Sequence, residues 1–314
     1  CSLASPVMMG VGTAALGLLQ RVRLDGLLGS LAGFPSVKAA LRAAPRIPAV
    51  PYRRRHLPAE KGAGPSVRVA YFAGCFMNWV YADVAEATHR VLVHNGYRVE
   101  SPPVACCGMP HRALGDLGTA RRLARRNVDL LAGYAAVVTD CASCGAALKA
   151  YGEILAGDPE YAGRAKVLAS RVFDISEFLV SYGYRRPEWP IPLRVTYHDP
   201  CHLGREQGVR EQPRQILRSI PGLELVEMKD ADMCCGGGGS FALTHPELAH
   251  RVGQQKAASI AAMEAEAVVS GCPSCLSQLR AMLGGSRATT TVCHPVQLLV
   301  CSYGQGAANL AIPH

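Results

Sequence analysis

The chain has 314 residues, a formal net charge of +9 and 49% hydrophobic residues, which excludes global disorder and allows either two domains or one duplicated unit. Aromatic residues make up only 6%, and no nucleic-acid-binding motif accompanies the positive charge, so we exclude nucleic acid as a partner. The 13 cysteines fall in repeated local groups, which in a chain of this length is typical of metal ligation in a reducing compartment.

Residues 1–66 are predicted to form a helical segment followed by a linker. Residues 1–50 are rich in Ala and Leu, and the apolar run 7–19 is shorter than the roughly 20 residues that a membrane-spanning helix needs. We expect this run to pack as a buried or interfacial helix. Five prolines and the triplet Arg53-Arg54-Arg55 occupy residues 45–66. They predict a solvated linker whose contact with a membrane is peripheral at most.

Strands and helices alternate from residue 67 onward, and each strand leads to a group of cysteines. The predicted elements are strands at 67–72, 97–100 and 135–139 and helices at 81–95, at 115–131 and from the last cysteine group to 155. The strands are followed in turn by Cys75, by Cys106-Cys107-Gly108, and by Cys141-Ala142-Ser143-Cys144. In sheets built from such repeats, ligands bind beyond the carboxyl ends of the strands.

The same pattern occurs a second time. Strands are predicted at 193–197, 223–227 and 267–270, helices at 209–219 and 241–263, and the cysteines are Cys201, Cys234-Cys235-Gly236 and Cys272-Pro273-Ser274-Cys275. The three groups lie 126, 128 and 131 residues after their counterparts, which indicates duplication. We therefore predict an α/β fold of two tandem homologous domains, 67–190 and 191–314. Each is expected to be a small, mostly parallel sheet flanked by helices.

Five cysteines in each half favour an iron–sulfur cluster. Thiolates are soft donors that suit iron–sulfur clusters or zinc, and structural zinc usually takes four ligands. Five ligands exceed that number, although zinc in one of the two sites stays open. Gly108 and Gly236 follow the paired cysteines and are the residues we expect to let the backbone bend around a cofactor.

The remaining cysteines and the histidines have less definite roles. We expect Cys293 and Cys301 to be core residues, and Cys1 has no partner that the sequence assigns. His198 and His202 flank Cys201, and two readings stay open for them. In the first, one histidine hydrogen-bonds to a cluster sulfur, tunes the reduction potential of the cluster or carries a proton. In the second, both histidines are structural. Two further histidines are expected to be local caps or surface groups, namely His111 and His245.

Residues 67–303 resemble the cysteine-rich CCG domain family, in which this domain occurs twice. Known members are the cysteine-rich subunit of heterodisulfide reductase and the iron–sulfur subunits of glycolate oxidase, lactate utilisation and anaerobic glycerol-3-phosphate dehydrogenase systems. The likeness is greatest to the glycolate oxidase iron–sulfur subunit. It rests on Cys106-Cys107-Gly108, Cys144-Gly145-Ala146, Lys149-x-Tyr151-Gly152, Asp158-x-x-Tyr161-Ala162, and Cys234-Cys235-Gly236 followed by Phe241-Ala242-Leu243-Thr244-His245-Pro246-Glu247-Leu248-Ala249.

The resemblance implies an electron relay with two [4Fe–4S] clusters, which in the heterodisulfide reductase relative are noncubane. One cluster would be held by Cys75, Cys106, Cys107, Cys141 and Cys144, and the other by Cys201, Cys234, Cys235, Cys272 and Cys275. A FAD-containing subunit would oxidise a 2-hydroxy acid such as glycolate or lactate. This chain would pass the electrons toward quinone or another acceptor, in the cytoplasm or on the inner face of the membrane.

The chain departs from the larger family members in one respect. It lacks their N-terminal ferredoxin-like domain with two Cys-x-x-Cys-x-x-Cys-x-x-x-Cys-Pro runs. Either the chain is truncated or electrons enter from a separate ferredoxin-like subunit. Two other functions stay open besides the relay: direct reduction of a disulfide at a cluster, and a zinc-stabilised assembly scaffold.

Overall fold

The fold is α/β, with two four-stranded parallel sheets covered by helices and one helix toward the N-terminus. A computed structural model describes residues 6–21, 46–55, 57, 67–104, 106–239, 241–284 and 290–305. Cys1 and most of the remaining linker lie outside the described residues. The fold class expected from the sequence is therefore confirmed, while the domain limits at 67–190 and 191–314 stay a prediction.

The elements of the first half alternate as the cysteine pattern predicts. After α1 (Pro6–Arg21) they are β1 (Arg68–Tyr71), α2 (Cys75–Trp79), α3 (Ala82–His94), β2 (Arg98–Glu100), α4 (Met109–Ala113), α5 (Leu117–Leu131), β3 (Ala136–Thr139), α6 (Ala142–Lys149), α7 (Tyr151–Ile154), α8 (Ala162–Ala169), β4 (Val172–Asp174) and α9 (Ile175–Tyr182).

The second half repeats this order. Its elements are β5 (Arg194–Tyr197), α10 (Cys201–Gly204), α11 (Glu211–Ser219), β6 (Glu224–Val226), α12 (Phe241–Thr244), α13 (Pro246–Ala261), β7 (Ala267–Val269), α14 (Pro273–Leu283), β8 (Thr291–Cys293) and α15 (Pro295–Ser302).

Both sheets have the same strand order, which places the cysteines at one edge. The orders are β2-β1-β3-β4 and β6-β5-β7-β8, and every pair is parallel. Val69 pairs with Ala136 in the first sheet, and Val195 pairs with Ala267 in the second. The chain leaves β1 toward one side and β3 toward the other. The crevice where ligands bind in such sheets therefore lies at the carboxyl ends of β1 and β3, and of β5 and β7.

The fourth strand of each sheet, β4 or β8, was not predicted from the sequence. Each contains three residues and pairs on one side with the strand before it, β3 or β7. A segment this short carries no alternation of apolar and polar residues, so only pairing with its neighbour defines it as a strand.

The two halves share one hydrophobic core. Residues of both sheets belong to a single cluster of buried side chains. Helix α15 of the second half packs on α3 of the first, where the rings of His94 and Tyr303 stack with centroids 4.1 Å apart. Helices α9 and α11 also pack across the boundary. The second half is thus fixed against the first by side chains of several helices.

Residues 52–55 are not the solvated linker expected from the sequence. Tyr52 is buried and its hydroxyl lies 2.8 Å from the hydroxyl of Ser101. Arg53 donates hydrogen bonds to the carbonyl oxygens of Val104 and Ala73. Backbone carbonyls at the loop ends thus supply acceptors that the sequence does not reveal. In the part of the chain that the structure describes, no helix combines the length and hydropathy needed to cross a bilayer.

The expected helix 241–263 is divided into α12 and α13 at His245. Pro246 is the first residue of α13 and has no amide hydrogen to continue a helix from the preceding turn. The sequence pattern alone therefore overestimated the length of this helix, although it placed the segment correctly.

Candidate metal centre

The cysteines of the first half lie together at the carboxyl ends of its strands. Cys75 is the first residue of α2 after β1, and Cys141 caps α6 after β3, where its sulfur lies 3.4 Å from the amide nitrogen of Cys144. Cys106 and Cys107 follow β2. Each thiol shifts the pKa of the next along the series Cys75–Cys106–Cys107–Cys144–Cys141, so the five side chains lie together. We call these residues the first quintet.

The thiols of the first quintet differ in pKa. Hydrogen bonds from Cys107 and Cys75 lower the pKa of Cys106 to about 3, and the amide nitrogen of Gly108 lies 3.4 Å from the same sulfur. The hydrogen bond to Cys106, together with burial, raises the pKa of Cys75 and of Cys107. A thiolate is thus stabilised among neutral thiols. A bound cation would release further protons from the group.

The cysteines of the second half occupy the same positions on the second sheet. Cys201 begins α10 after β5, Cys234 and Cys235 follow β6, and Cys272 and Cys275 lie at the start of α14 after β7. Each thiol shifts the pKa of the next along the series Cys234–Cys235–Cys275–Cys272, so these four side chains lie together. Cys201 faces the same cleft. We call these residues the second quintet.

The second quintet is more open to solvent than the first. Cys234 is exposed and Cys201 is half-buried, whereas in the first quintet only Cys75 is not fully buried. The cleft above the second quintet is lined by its five cysteines together with Ser143, His198, Pro200, His202, Gly237, Gly238, Gly239 and Ser274. Solvent therefore reaches the second quintet at Cys234 and Cys201.

The two quintets touch each other through Cys141 and Cys272. A hydrogen bond from Cys141, followed by one from Cys275, lowers the pKa of Cys272 well below its usual range. The hydroxyl of Ser143 lies 3.5 Å from the sulfur of Cys272, and the amide of Ala142 donates a 3.1 Å hydrogen bond to the carbonyl of Gly271. The cysteine spacing in the sequence describes each half by itself and does not predict this contact between the halves.

Gln207 and His202 connect the halves beside this contact. The side-chain amide of Gln207 donates hydrogen bonds of 2.9 and 2.7 Å to the carbonyl oxygens of Ala142 and His202. Nδ1 of His202 lies 2.8 Å from the Ser143 hydroxyl. Sequence reasoning did not single out Ser143 or Gln207, because neither residue type marks a metal site.

The two predicted glycines have the backbone conformation that only glycine adopts readily. Gly108 and Gly236 have φ values of +90° and +82°. Their surroundings differ, however. A Cβ at Gly108 would lie 3.5 Å from the nearest atoms of Ala120, whereas a Cβ at Gly236 would overlap the carbonyl oxygen of Ala249. Gly236 is therefore required by close packing on α13 as well as by its backbone conformation.

This difference gives a prediction for the variant Gly236→Ala. Both Gly108→Ala and Gly236→Ala place a side chain in the left-handed region, which costs roughly 1–2 kcal/mol. The overlap with Ala249 adds about 1–3 kcal/mol in Gly236→Ala alone. We expect Gly236→Ala to lower the free energy of unfolding more than Gly108→Ala, as measured by urea denaturation under anaerobic conditions. Equal losses in the two variants would contradict the packing argument.

The chemistry of the donors fits an iron–sulfur group. All twelve cysteines that the structure describes are free thiols, so none is lost to a disulfide. Amide nitrogens approach the sulfurs of Cys106, Cys141 and Cys234 at 3.3–3.4 Å, as hydrogen bonds to cluster ligands require. A Cβ at Gly74 would lie 2.7 Å from the sulfur of Cys144, so the backbone closes around the sulfurs. Soft, buried and convergent sulfur donors favour iron–sulfur clusters or zinc over hard cations.

The histidines differ in how they are held. His198 is buried next to the second quintet, and its ring nitrogens have no hydrogen bond of normal geometry among the described residues. The expected surface position of His111 is wrong, because this ring is buried and its Nδ1 lies 3.0 Å from a carboxylate oxygen of Asp116. His245 occupies the N-cap position of α13 without a side-chain cap bond and stacks on Phe241.

Cys293 and Cys301 do not belong to either quintet. They lie later in the sequence, on other secondary-structure elements. Cys293 ends β8 and is buried, and burial raises its pKa to about 12. Cys301 is half-buried in α15. Cys293 belongs to the hydrophobic core, as expected from the sequence.

The family model of the cysteine-rich CCG domain matches two stretches of the chain, residues 69–149 and 195–280. These stretches contain both quintets and cover more than half of the sequence. The chain belongs to the CCG cysteine-rich domain family. The resemblance seen in the sequence is thereby confirmed, and the duplicated pattern corresponds to two CCG domains.

Three curated proteins are similar to this CCG protein in sequence. A subunit of the CoM/CoB fumarate reductase of Methanothermobacter marburgensis is 42% identical over 68% of this chain and 42% of its own length. The probable glycolate oxidase iron–sulfur subunit of Bacillus subtilis is 34% identical over 84% of this chain and 60% of its own length. Lactate utilization protein A of Oceanobacillus iheyensis is 31% identical over 74% of this chain and 96% of its own length. The chain thus spans less than two thirds of the first two relatives.

A solved structure of a hypothetical protein from Helicobacter pylori has the same fold. It aligns with a TM-score of 0.58 and 9% identity, covering 81% of this chain and 52% of the other. At this identity the likeness concerns the arrangement of the strands and helices alone.

Proposed function

We propose that this CCG protein is the iron–sulfur electron-transfer subunit of a flavin-linked 2-hydroxy-acid oxidoreductase of the glycolate or lactate type. The observation that carries the proposal is the convergence of ten free thiols into two adjoining quintets at the carboxyl ends of two equivalent sheets. The names of the relatives from Bacillus subtilis and Oceanobacillus iheyensis support the substrate class.

Each of the two quintets would hold one cluster. When bound, such clusters supply reversible one-electron transfer. The chain's own contribution is to bury the sulfurs, to donate amide hydrogen bonds to them and to keep the two sites in direct contact through Cys141 and Cys272. No other redox group is required within the chain for electrons to enter at one site and leave at the other.

The partners follow from this role. A FAD-containing dehydrogenase subunit would deliver electrons, directly or through a separate ferredoxin-like subunit, and quinone or another acceptor would receive them. The length of the relatives from Methanothermobacter marburgensis and Bacillus subtilis that the chain does not span leaves room for additional redox domains in those proteins.

The proposal is tested on protein purified without oxygen. We expect iron and sulfide in the amounts of two clusters, a visible absorption band and EPR signals on reduction. Mixing with a flavoprotein 2-hydroxy-acid dehydrogenase and glycolate or lactate should then bleach that band. Zinc as the sole bound metal would instead support the assembly scaffold and overturn the proposal.

One observation favours a second candidate function, direct disulfide reduction at the second site. Cys234 is exposed and Cys201 is half-buried, so these are the thiols of the second quintet that a disulfide would meet first. If the isolated chain, supplied continuously with a one-electron donor, reduces a small disulfide such as cystine to two thiols with turnover, this function is supported. Stoichiometric oxidation without turnover leaves the relay as the better account.

We further propose that this protein is cytoplasmic and binds peripherally to the inner face of the membrane through the exposed side of α1. Residues 1–66 contain nine Lys and Arg against two Asp and Glu and so carry +7 of the net +9. Helix α1 presents Met8, Val11 and Leu18 on one side, with 60%, 67% and 59% of their surface exposed. An apolar helix side beside excess positive charge is the composition that binds an anionic lipid surface.

The opposite side of α1 is fixed to the rest of the molecule. Gly10 lies against the ring of Trp79, and Gly17 lies against Ile47. Exposed arginines at positions 21, 46 and 54 flank the helix, and the described residues 6–21, 46–55 and 57 include no acidic residue. We call the exposed apolar side chains of α1 together with these three arginines, which border the helix, the α1 surface.

The α1 surface gives a prediction for lipid binding. We expect the protein to sediment with vesicles containing phosphatidylglycerol but not with pure phosphatidylcholine. At about 1 kcal/mol for each basic residue near an anionic bilayer, the triple variant Arg21→Gln, Arg46→Gln, Arg54→Gln should bind roughly a hundredfold more weakly. A matched triple variant with exposed arginines elsewhere, Arg122→Gln, Arg186→Gln, Arg251→Gln, should bind within a few-fold of the unaltered protein. Equal losses in both variants would refute the assignment of the surface.

A further inference from the structure

His198 is a buried imidazole without the hydrogen bonds that burial normally demands. Its side chain is 1% exposed, and neither ring nitrogen has a hydrogen-bond partner of normal geometry among the described residues. Burying a polar group without a partner is unfavourable, and native proteins rarely contain such a group without a functional reason. His202, on the other side of Cys201, is different, since its Nδ1 lies 2.8 Å from Ser143 and its Nε2 lies 3.2 Å from Glu206.

The atoms nearest to the His198 ring include sulfurs of the second quintet. A ring nitrogen of His198 and the sulfurs of Cys235 and Cys275 all lie within 4.8 Å of one another, and all three residues are buried. The three atoms thus surround one point, which is the arrangement of donors around a metal.

The duplicated fold shows that a histidine at this place is not required for packing. The amide of His198 donates to the carbonyl of Val269 at 2.9 Å, and the amide of Phe72 donates to the carbonyl of Val138 at 2.8 Å in the first half. The two residues therefore occupy equivalent positions directly after β5 and β1. Phe72 is fully buried, so a phenyl ring fills the same position in the first half.

We propose that His198 supplies a nitrogen ligand to the metal of the second site, next to Cys235 and Cys275. The second site then has mixed nitrogen and sulfur donors, whereas the first site has sulfur donors alone. A neutral imidazole ligand raises the reduction potential relative to thiolate ligands. Electrons would accordingly move from the first site toward the second. This inference rests on the proposed function, because it requires both quintets to hold metal.

The test compares variants that the chain itself suggests. Protein labelled with ¹⁵N-histidine is loaded and reduced without oxygen, and pulsed EPR is used to detect nitrogen bound directly to the metal. We expect that signal in the unaltered protein and in His202→Phe, which matches Phe76 of the first half, and its loss in His198→Phe. Iron at the second site should remain in His198→Phe, with a more negative midpoint potential.

The outcomes separate this inference from the function it rests on. Two loaded sites without any directly bound nitrogen, or a nitrogen signal that survives in His198→Phe, would overturn the role of His198 and leave the electron relay intact. Failure of the unaltered protein to bind metal at the second quintet would overturn both. If His198→Phe does not fold, His198→Gln keeps a polar side chain of similar length and is expected to lose the same signal.

Discussion

Replacement of Cys235 by serine is expected to abolish metal binding at the second site and to halve the iron content of the chain, roughly. Cys235 is buried next to Cys234 and Cys275, whose thiols lower its pKa. A serine hydroxyl is a hard donor that stays protonated and does not replace a thiolate in a soft site. The measurement is iron and sulfide per chain together with the visible spectrum of anaerobically purified protein.

Related variants extend this prediction. Cys107→Ser should remove the iron of the first site, and Cys234→Ser should lower both the iron content and electron transfer. Cys301→Ser serves as the control, because this half-buried thiol belongs to α15 rather than to a quintet. Full iron content and an unchanged spectrum in Cys235→Ser and Cys107→Ser would refute the assignment of the quintets.

Replacement of Arg214 by methionine is expected to lower the free energy of unfolding by about 3–5 kcal/mol, because it leaves the buried carboxylate of Asp199 without its counter-charge. Arg214 donates two hydrogen bonds to Asp199, at 2.9 and 2.8 Å, and both residues are more than nine-tenths buried. Its guanidinium carbon also lies 5.1 Å above the ring of Tyr197. The hydrogen bonds to Asp199 raise the pKa of Arg214, so the cation is retained at every accessible pH.

Arg218 provides the control for this prediction. It lies on the same helix and contacts the carboxylate of Glu227 at 3.0 Å, as Arg214 does at 2.9 Å, but its side chain is 53% exposed. Arg218→Met should cost only about 0–1 kcal/mol, since exposed ion pairs contribute little. Urea denaturation with the metal content matched between samples checks both variants. A loss in Arg214→Met no larger than that in Arg218→Met would refute the importance of the buried pair.

Much of the fold follows from the period and position of apolar residues. Runs such as 67–72 and 135–139 precede cysteines at matched offsets, and β1 and β3 lie within those runs. The sequence predicted neither β4 nor β8, because three-residue strands are defined by their neighbours. It also predicted a solvated Arg53, whose hydrogen bonds depend on carbonyl groups of Val104 and Ala73 that come from other parts of the chain.

The sequence by itself determined the ten candidate ligands, the duplication and the chemical softness of the sites, because these depend on residue type and spacing. Only the tertiary structure brought Cys141 next to Cys272 and directed the ring of His198 toward Cys235 and Cys275. These contacts join residues more than 30 positions apart, and they arise where strands and helices distant in the sequence pack together. Local patterns of residues contain no information about how such surfaces meet, since that is decided by packing of the shared core.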